Sequence, residues 1–264
     1  MANLSALMQI MSTAARKAGR KLSRDFGEVE HLQVARKGPA DFVSAADRKA
    51  EEIIFENLTE GRPGYGFLME ERGEVEGTDK THRWIVDPLD GTLNFLHGMP
   101  HFAISIALER EGEIVAGLVY NPATDDMFHA EKGRGAWVND RRLRVAGRTE
   151  LHESVIATGT PFFGKKGHAR FLKELHQVMP NVAGVRRYGA ASLDLAWVAA
   201  GRFDGFWERD LKAWDIAAGL ILVREAGGYI GEIDGGKDVL TTGNIVAGNE
   251  AILTKLTAKL QAAA

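Results

Sequence analysis

Trp84-Ile85-Val86-Asp87-Pro88-Leu89-Asp90-Gly91-Thr92 is the stretch from which the rest of this chain is best read. Bulky residues run straight into an aspartate, which predicts a buried strand delivering Asp87 to its C-terminal end. Pro88 has no amide hydrogen and biases Asp87 toward extended geometry, so the strand is expected to stop and bend there. Gly91 is free to take unusual dihedrals. Thr92 is placed to open a short helix, Thr92 to His97. Two carboxylates and a peptide carbonyl would then face a helix N-terminus. Carboxylates bind hard divalent cations and a helix N-terminus binds phosphate, so the combination points to metal-assisted chemistry on a phosphate. Asp-Pro and Asp-Gly are also ordinary turn dipeptides, and on spacing alone a plain strand-turn-helix junction reads equally well.

Composition narrows the field. The chain has 264 residues, 45% apolar and 26% charged, as in ordinary globular proteins. That length predicts a single domain over 1–264 with two packed halves, roughly 1–145 and 146–264. A net charge of −3 indicates no broad basic surface, so no nucleic-acid partner is expected. An anionic substrate would need local cations. There is no cysteine, which excludes disulfides and thiolate chemistry and fits a reducing cytoplasm. No apolar run approaches the roughly 18 residues of a membrane helix. Leu4, Leu7, Met8, Met11, Ala15, Ala18 and Leu22 recur at helical spacing, which predicts an amphipathic N-terminal helix packed on a core.

Further along, Arg36-Lys37-Gly38-Pro39-Ala40-Asp41 reads as a loop with Lys37 projecting. Ser44 reads as the cap of a helix that carries Asp47 in its first turn, where the helix dipole alone favours a carboxylate. Tyr65 to Met69 reads as a strand ending at Glu70-Glu71. From Phe102 to Leu143 the period is two and the connections are short, an antiparallel meander. The second half returns to alternating strands and helices: strands Ser154 to Thr158, Val185 to Tyr188, Phe203 to Trp207 and Asn244 to Ala247; helices Ala169 to Val178, Ala190 to Ala200, one opened by Trp214-Asp215, and Glu250 to Leu260. The fold class is mixed α/β. Strand ends and helix starts in both halves deliver acids: Glu70, Asp87, Asp90, Glu208 and Asp215. Like charges repel, so gathering them requires cations.

Trp84 to Gly98 closely resembles the signature of the inositol monophosphatase family. Trp214-Asp-Ile-Ala-Ala-Gly with Glu225-Ala-Gly-Gly228 matches its second signature. Lys37 to Asp47 and Gly248-Asn249 match as well, so the resemblance covers essentially the whole chain. It implies a layered α-β-α-β-α sandwich, usually a cytoplasmic homodimer, that hydrolyses phosphate monoesters. The cofactor implied is Mg²⁺, two or three ions, with Mn²⁺ as a substitute, and lithium sensitivity is implied too. Glu70, Asp87, the Leu89 carbonyl, Asp90 and Asp215 would hold the metals. Lys37 would lie near the outermost one. Gly91 and Thr92 would receive the phosphate through their amides. Glu208, the Gly189-Ala190-Ala191 backbone and Asp215 would complete the substrate site.

The substrate expected is myo-inositol 1-phosphate. A fructose-1,6-bisphosphatase, an NADP(H) phosphatase and a histidinol-phosphate phosphatase on the same scaffold stand as alternatives. So does a partner role in transcription or RNA processing with an RNA polymerase-type assembly, by family analogy. The chain departs from the family pattern at Met69, Ala46 and Ala190; the last bears on substrate selectivity. No Ser, Cys or His in the matched motifs serves as a nucleophile, so direct attack by a metal-activated water is expected. Glu70 and Thr92 would hold that water, and Asp47 would take the Thr92 hydroxyl proton. His97 and His101 are expected to be carried away from the metals by the helix and Pro100.

Overall fold

A computed structural model describes residues 4–26, 34–38 and 41–263, of which 34–38 and 41–44 are described in backbone only. An antiparallel hairpin, β1 (Val34–Gly38) and β2 (Asp41–Ser44), follows helix α1 (Ala6–Phe26). Lys37 therefore lies on a strand and not in the expected loop; its side chain, and Pro39-Ala40, fall outside the described residues. Helix α2 (Ala45–Gly61) begins directly after Ser44.

An eight-stranded sheet comes next, from β3 (Tyr65–Met69), β4 (Gly73–Val75), β5 (Asp79–Asp90), β6 (Ala103–Arg110), β7 (Glu113–Asn121), β8 (Asp126–Glu131), β9 (Gly135–Val138) and β10 (Arg141–Arg142). Its strand order is β10-β9-β8-β7-β6-β5-β3-β4. From β5 to β10 each neighbour is antiparallel, the meander that the period-two pattern predicts. Short helix α3 (Thr92–Leu96) interrupts β5 and β6. The second half supplies β11 (Val155–Thr158), α4 (His168–Val178), β12 (Gly184–Arg186), α5 (Ala191–Ala199), β13 (Gly205–Glu208), α6 (Ala213–Glu225), β14 (Tyr229–Glu232), α7 (Val239–Thr242), β15 (Ile245–Gly248) and α8 (Glu250–Gln261). Its five strands run in the order β12-β11-β13-β15-β14, with β11 parallel to both neighbours and β15 antiparallel to both of its own.

Side-chain alternation stacks these parts into layers. Trp84, Val86, Ile104, Ile106 and Leu118 point from the large sheet onto the buried stripe of α1 and α2, including Met8, Met11, Leu22, Ile54 and Leu58. Their neighbours Ile85, Ala103, Ala107 and Val119 point the other way, onto α5 and α6. Those two helices also carry the inner face of the small sheet through Ala157, Phe206, Ile245 and Ala247. The opposite face of that sheet, with Ile156, Trp207 and Val246, packs on α4 and α8. The order is α-β-α-β-α. Each buried aliphatic or aromatic side chain of these stripes contributes about 1.5–3 kcal/mol. The middle helices are apolar all round because they are covered on both sides.

Strand β5 does not stop at Asp87 as expected. It continues to Asp90, with a register break against β6 between Asp87↔Ser105 and Asp90↔Ala103. Pairing with β3 ends at Met69↔Val86, so Pro88 sits where no neighbour on that side needs its missing N–H. The bulge re-aims the strand end and leaves the carboxylates of Asp87 and Asp90 on one site.

Candidate active site

The turn after β5 is built from its own side chains. Asp87 Oδ1 accepts the Leu89 N–H at 2.9 Å. Gly91 adopts the left-handed conformation (φ 86°), and a β-carbon there would lie 3.0 Å from the His101 carbonyl and 3.1 Å from Ala190 Cβ. Only glycine meets both demands. Helix α3 then starts at Thr92, whose first-turn N–H groups have no intrahelical partner by construction.

Thr92 Oγ1 lies 3.1 Å from Asp47 Oδ1 and 3.0 Å from the Leu89 carbonyl oxygen. Its single proton serves these two acceptors. Asp47, in the first turn of α2, is fully buried, so the threonine satisfies a carboxylate that water does not reach.

The acids named from sequence lie within repulsive reach of one another. Burial, then Glu70, Asp90 and Asp215, push the Asp87 carboxyl well above the usual range. Burial and Asp90 push Asp215 up to about 8. Burial also raises Asp90, but less freely, because Ser192 offsets it. Asp90 Oδ2 accepts the Ser192 N–H at 2.8 Å and its hydroxyl at 2.6 Å, which seats the carboxylate on the N-terminus of α5. Asp215 Oδ2 accepts the Lys212 N–H at 2.7 Å; Lys212 is the cap of α6 and Asp215 its third residue, so the helix opens one residue before Trp214. Among the described residues no three acids are drawn into a ready-made metal cage. Each instead leans on a nearby donor. That is the expected compromise for repelling carboxylates, and an all-oxygen, buried and mutually repelled donor set suits a hard divalent cation.

Glu208 ends β13 and lines the same cavity as Glu70 and Asp215. Burial, with Asp194, Asp215 and Asp90 nearby, raises its carboxyl strongly, against the pull of Arg187. Gly189, Ala190 and Ala191 lead into α5; Gly189 is left-handed (φ 84°), and Ala190 is buried against the Gly91 turn.

Three participants were not legible in the sequence. Gly159 is bare because the Glu208 carboxylate packs on its Cα; a β-carbon there would overlap both carboxylate oxygens. Buried Glu51 accepts the Glu71 N–H at 2.9 Å and the Arg72 N–H at 3.3 Å, fixing the turn that presents Glu70. Asn94 Nδ2 donates to the carbonyls of His101 and Tyr188, both at 2.7 Å, and ties the Thr92 helix to the segment carrying Gly189. The only sequence signal for Asn94 was its place inside the matched motif.

The expectation that His101 is carried away from the site is corrected. Its carbonyl abuts Gly91, and its ring stacks on Tyr188 at 4.8 Å. Burial lowers the imidazole to about 4, and Nε2 lies 3.3 Å from Asp194 Oδ1, whose carboxyl burial pushes well above the usual range. The chain returns because β6 opens at Ala103 and pairs antiparallel with β5, Asp90↔Ala103, which folds residue 101 back over the turn.

The model of the inositol monophosphatase family matches residues 3–264. A protein of Mesorhizobium japonicum named inositol-1-monophosphatase is 66% identical over 94% of this chain and 93% of its own. Nus factor SuhB of Escherichia coli is 40% identical over 97% of this chain and 96% of its own. The crystal structure of extragenic suppressor protein suhB from Bartonella henselae superposes with a TM-score of 0.95 at 59% identity, covering 97% of this chain and 99% of that one. The chain belongs to the inositol monophosphatase family and is a phosphatase.

Proposed function

We propose that this phosphatase hydrolyses myo-inositol 1-phosphate with Mg²⁺, Mn²⁺ serving as a substitute. The observation that carries the reading is the mutual repulsion of buried Asp87 and half-buried Asp90 and Asp215 beside the Thr92–Asp47 contact. Such a charge set is stable only when protonated or cation-bound. Glu70, Asp87, the Leu89 carbonyl, Asp90 and Asp215 are the proposed ligands. When bound, the divalent cation neutralises these acids, offsets phosphate charge and lowers the pKa of water at the site.

The chain's own groups do the rest. The Gly91 and Thr92 amides hold phosphate oxygens at the turn. Glu70 and Thr92 orient a water for in-line attack. With the Leu89 carbonyl engaged as a ligand, the Thr92 proton is left to Asp47, and the hydroxyl lone pair turns to the water. Glu208 and the 189–191 backbone accept and donate to the substrate hydroxyls. The proposed working unit is one domain of two halves, acting as a cytoplasmic homodimer; the shared α5–α6 layer supports the first part, and family membership the second. Phosphate release from inositol 1-phosphate should require added Mg²⁺ and stop in excess EDTA. Turnover in EDTA would overturn the ligand assignment.

A further inference from the structure

Helix α2 reaches the site twice from one face. Asp47, in its first turn, accepts from Thr92 Oγ1 at 3.1 Å. Glu51 stands four positions on, where a helix places side chains one above the other, and Phe55 four beyond that. Both carboxylates are buried, on a helix whose Ala46, Ala50, Ile54 and Leu58 pack against the large sheet. A buried carboxylate is costly unless it is hydrogen-bonded. Asp47 has its partner in the reaction; the partners of Glu51 lie elsewhere.

Glu51 holds the turn after β3. Its Oε2 accepts the Glu71 N–H at 2.9 Å and the Arg72 N–H at 3.3 Å. Its other oxygen lies 3.8 Å from Arg72 Nε, and the Arg72 guanidinium sits 4.1 Å from the centre of the Phe55 ring. Phe55 in turn packs on Phe67 of β3, with ring centres 4.7 Å apart. Burial raises the Glu51 carboxyl, and the two N–H groups draw it back. The turn needs this hold. It leads into β4, three residues long and the outermost strand of the sheet among the described residues. On the inner side the Glu70 N–H donates to the Val86 carbonyl at 3.2 Å, just before Asp87. Glu70 is thus pinned between β5 and α2. Without the Glu51 oxygen, the turn must shift to let water reach its two N–H groups.

We propose that Glu51 is a positioning residue for the hydrolytic step: from one face of α2, it and Asp47 set Glu70 and Thr92 at the separation that a shared water requires. The proposal rests on the reading that Glu70 and Thr92 orient that water. Two groups that must agree in distance are anchored to one rigid helix about 6 Å apart along its axis, the rise of four residues, and not each to its own loop.

Glu51→Leu tests it by removing the acceptor at similar volume. With saturating Mg²⁺, kcat for inositol 1-phosphate should fall about 10²-fold, the cost of misplacing a reacting group by about 1 Å, with KM changed much less. Mn²⁺ binding to the substrate-free protein, read by calorimetric titration, should weaken about 10- to 100-fold, since Glu70 is a proposed ligand. Glu51→Gln keeps an oxygen in place and should restore kcat to within about fivefold of the wild type. Arg72→Ala keeps the N–H and loses the guanidinium, and should cost less than about fivefold. In a Glu70→Gln background, Glu51→Leu should cost little more, because it acts through Glu70. Should Glu51→Leu fail to fold, Glu51→Asp, which keeps the charge but draws the oxygens back by one methylene, should show the same losses. Full kcat and full Mn²⁺ affinity in a folded Glu51→Leu variant, with only its Tm lowered, would overturn the proposal, and so would multiplicative losses with Glu70→Gln. Wild-type kcat in Glu70→Gln itself would sink the reading of Glu70 and the proposal with it. An inactive Glu70→Gln beside a fully active Glu51→Leu would sink the proposal alone.

Discussion

Replacing Gly159 by alanine should damage substrate selection without touching any metal ligand. A β-carbon at this position would overlap the Glu208 carboxylate, while Gly159 is not among the glycines with positive φ, so alanine is sterically allowed on its own backbone. The carboxylate is the end of a flexible side chain and must retreat by roughly 1.5–2 Å to reach ordinary contact distance. A hydrogen bond to a charged group contributes about 1.5–3 kcal/mol. At 1.4 kcal/mol per factor of ten, kcat/KM for inositol 1-phosphate should fall about 10- to 150-fold. A displacement of about 1 Å at a positioning group is enough for a loss of that order. An aryl phosphate has no hydroxyls for Glu208 to accept from, so its kcat/KM should change less than about threefold. Glu208→Gln should reproduce the pattern, and the double variant should lose little more than either single one. Thermal stability should hold, since Gly→Ala at a compatible site restricts the unfolded chain. Equal losses on both substrates would make Glu208 a metal or structural residue, and no loss on either would refute the contact.

Thr92→Ala should lower kcat by about 10²- to 10⁴-fold with KM changed much less, and Asp47→Asn by a similar amount. Independent, multiplicative losses in the double variant would sink the relay. The metal-free protein should lose stability as pH rises. Asp215 has its folded pKa raised from 3.8 to about 8, so between those values the folded state holds the extra proton and stability falls with increasing pH. Calorimetry in EDTA should show a lower Tm at pH 8 than at pH 5, a slope that Asp215→Asn flattens and that added Mg²⁺ reverses. A Tm independent of pH and metal over this range would contradict the buried, repelled acid set.

What the sequence determined by itself is what neighbouring residues decide among themselves. The apolar run into Asp87, the period-two meander and the amphipathic first helix all appear where local pattern placed them, because burial periodicity is settled within one turn or one strand. Even there, the end of β5 was misread, since a proline stops a strand only if its neighbour needs the missing N–H, and that depends on where β3 ends. The tertiary structure alone decided the rest. Asp47 meets Thr92 across 45 positions, a pairing that only the family resemblance had suggested and no local pattern showed, and Ser192 meets Asp90 across 102. Gly159 gives up its side chain to a glutamate from another strand, and His101 returns to the turn it was expected to leave. These contacts depend on which strands become neighbours and on how the α5–α6 layer seats between the sheets. The choice is made by the whole core and leaves no periodic trace in the segments that meet.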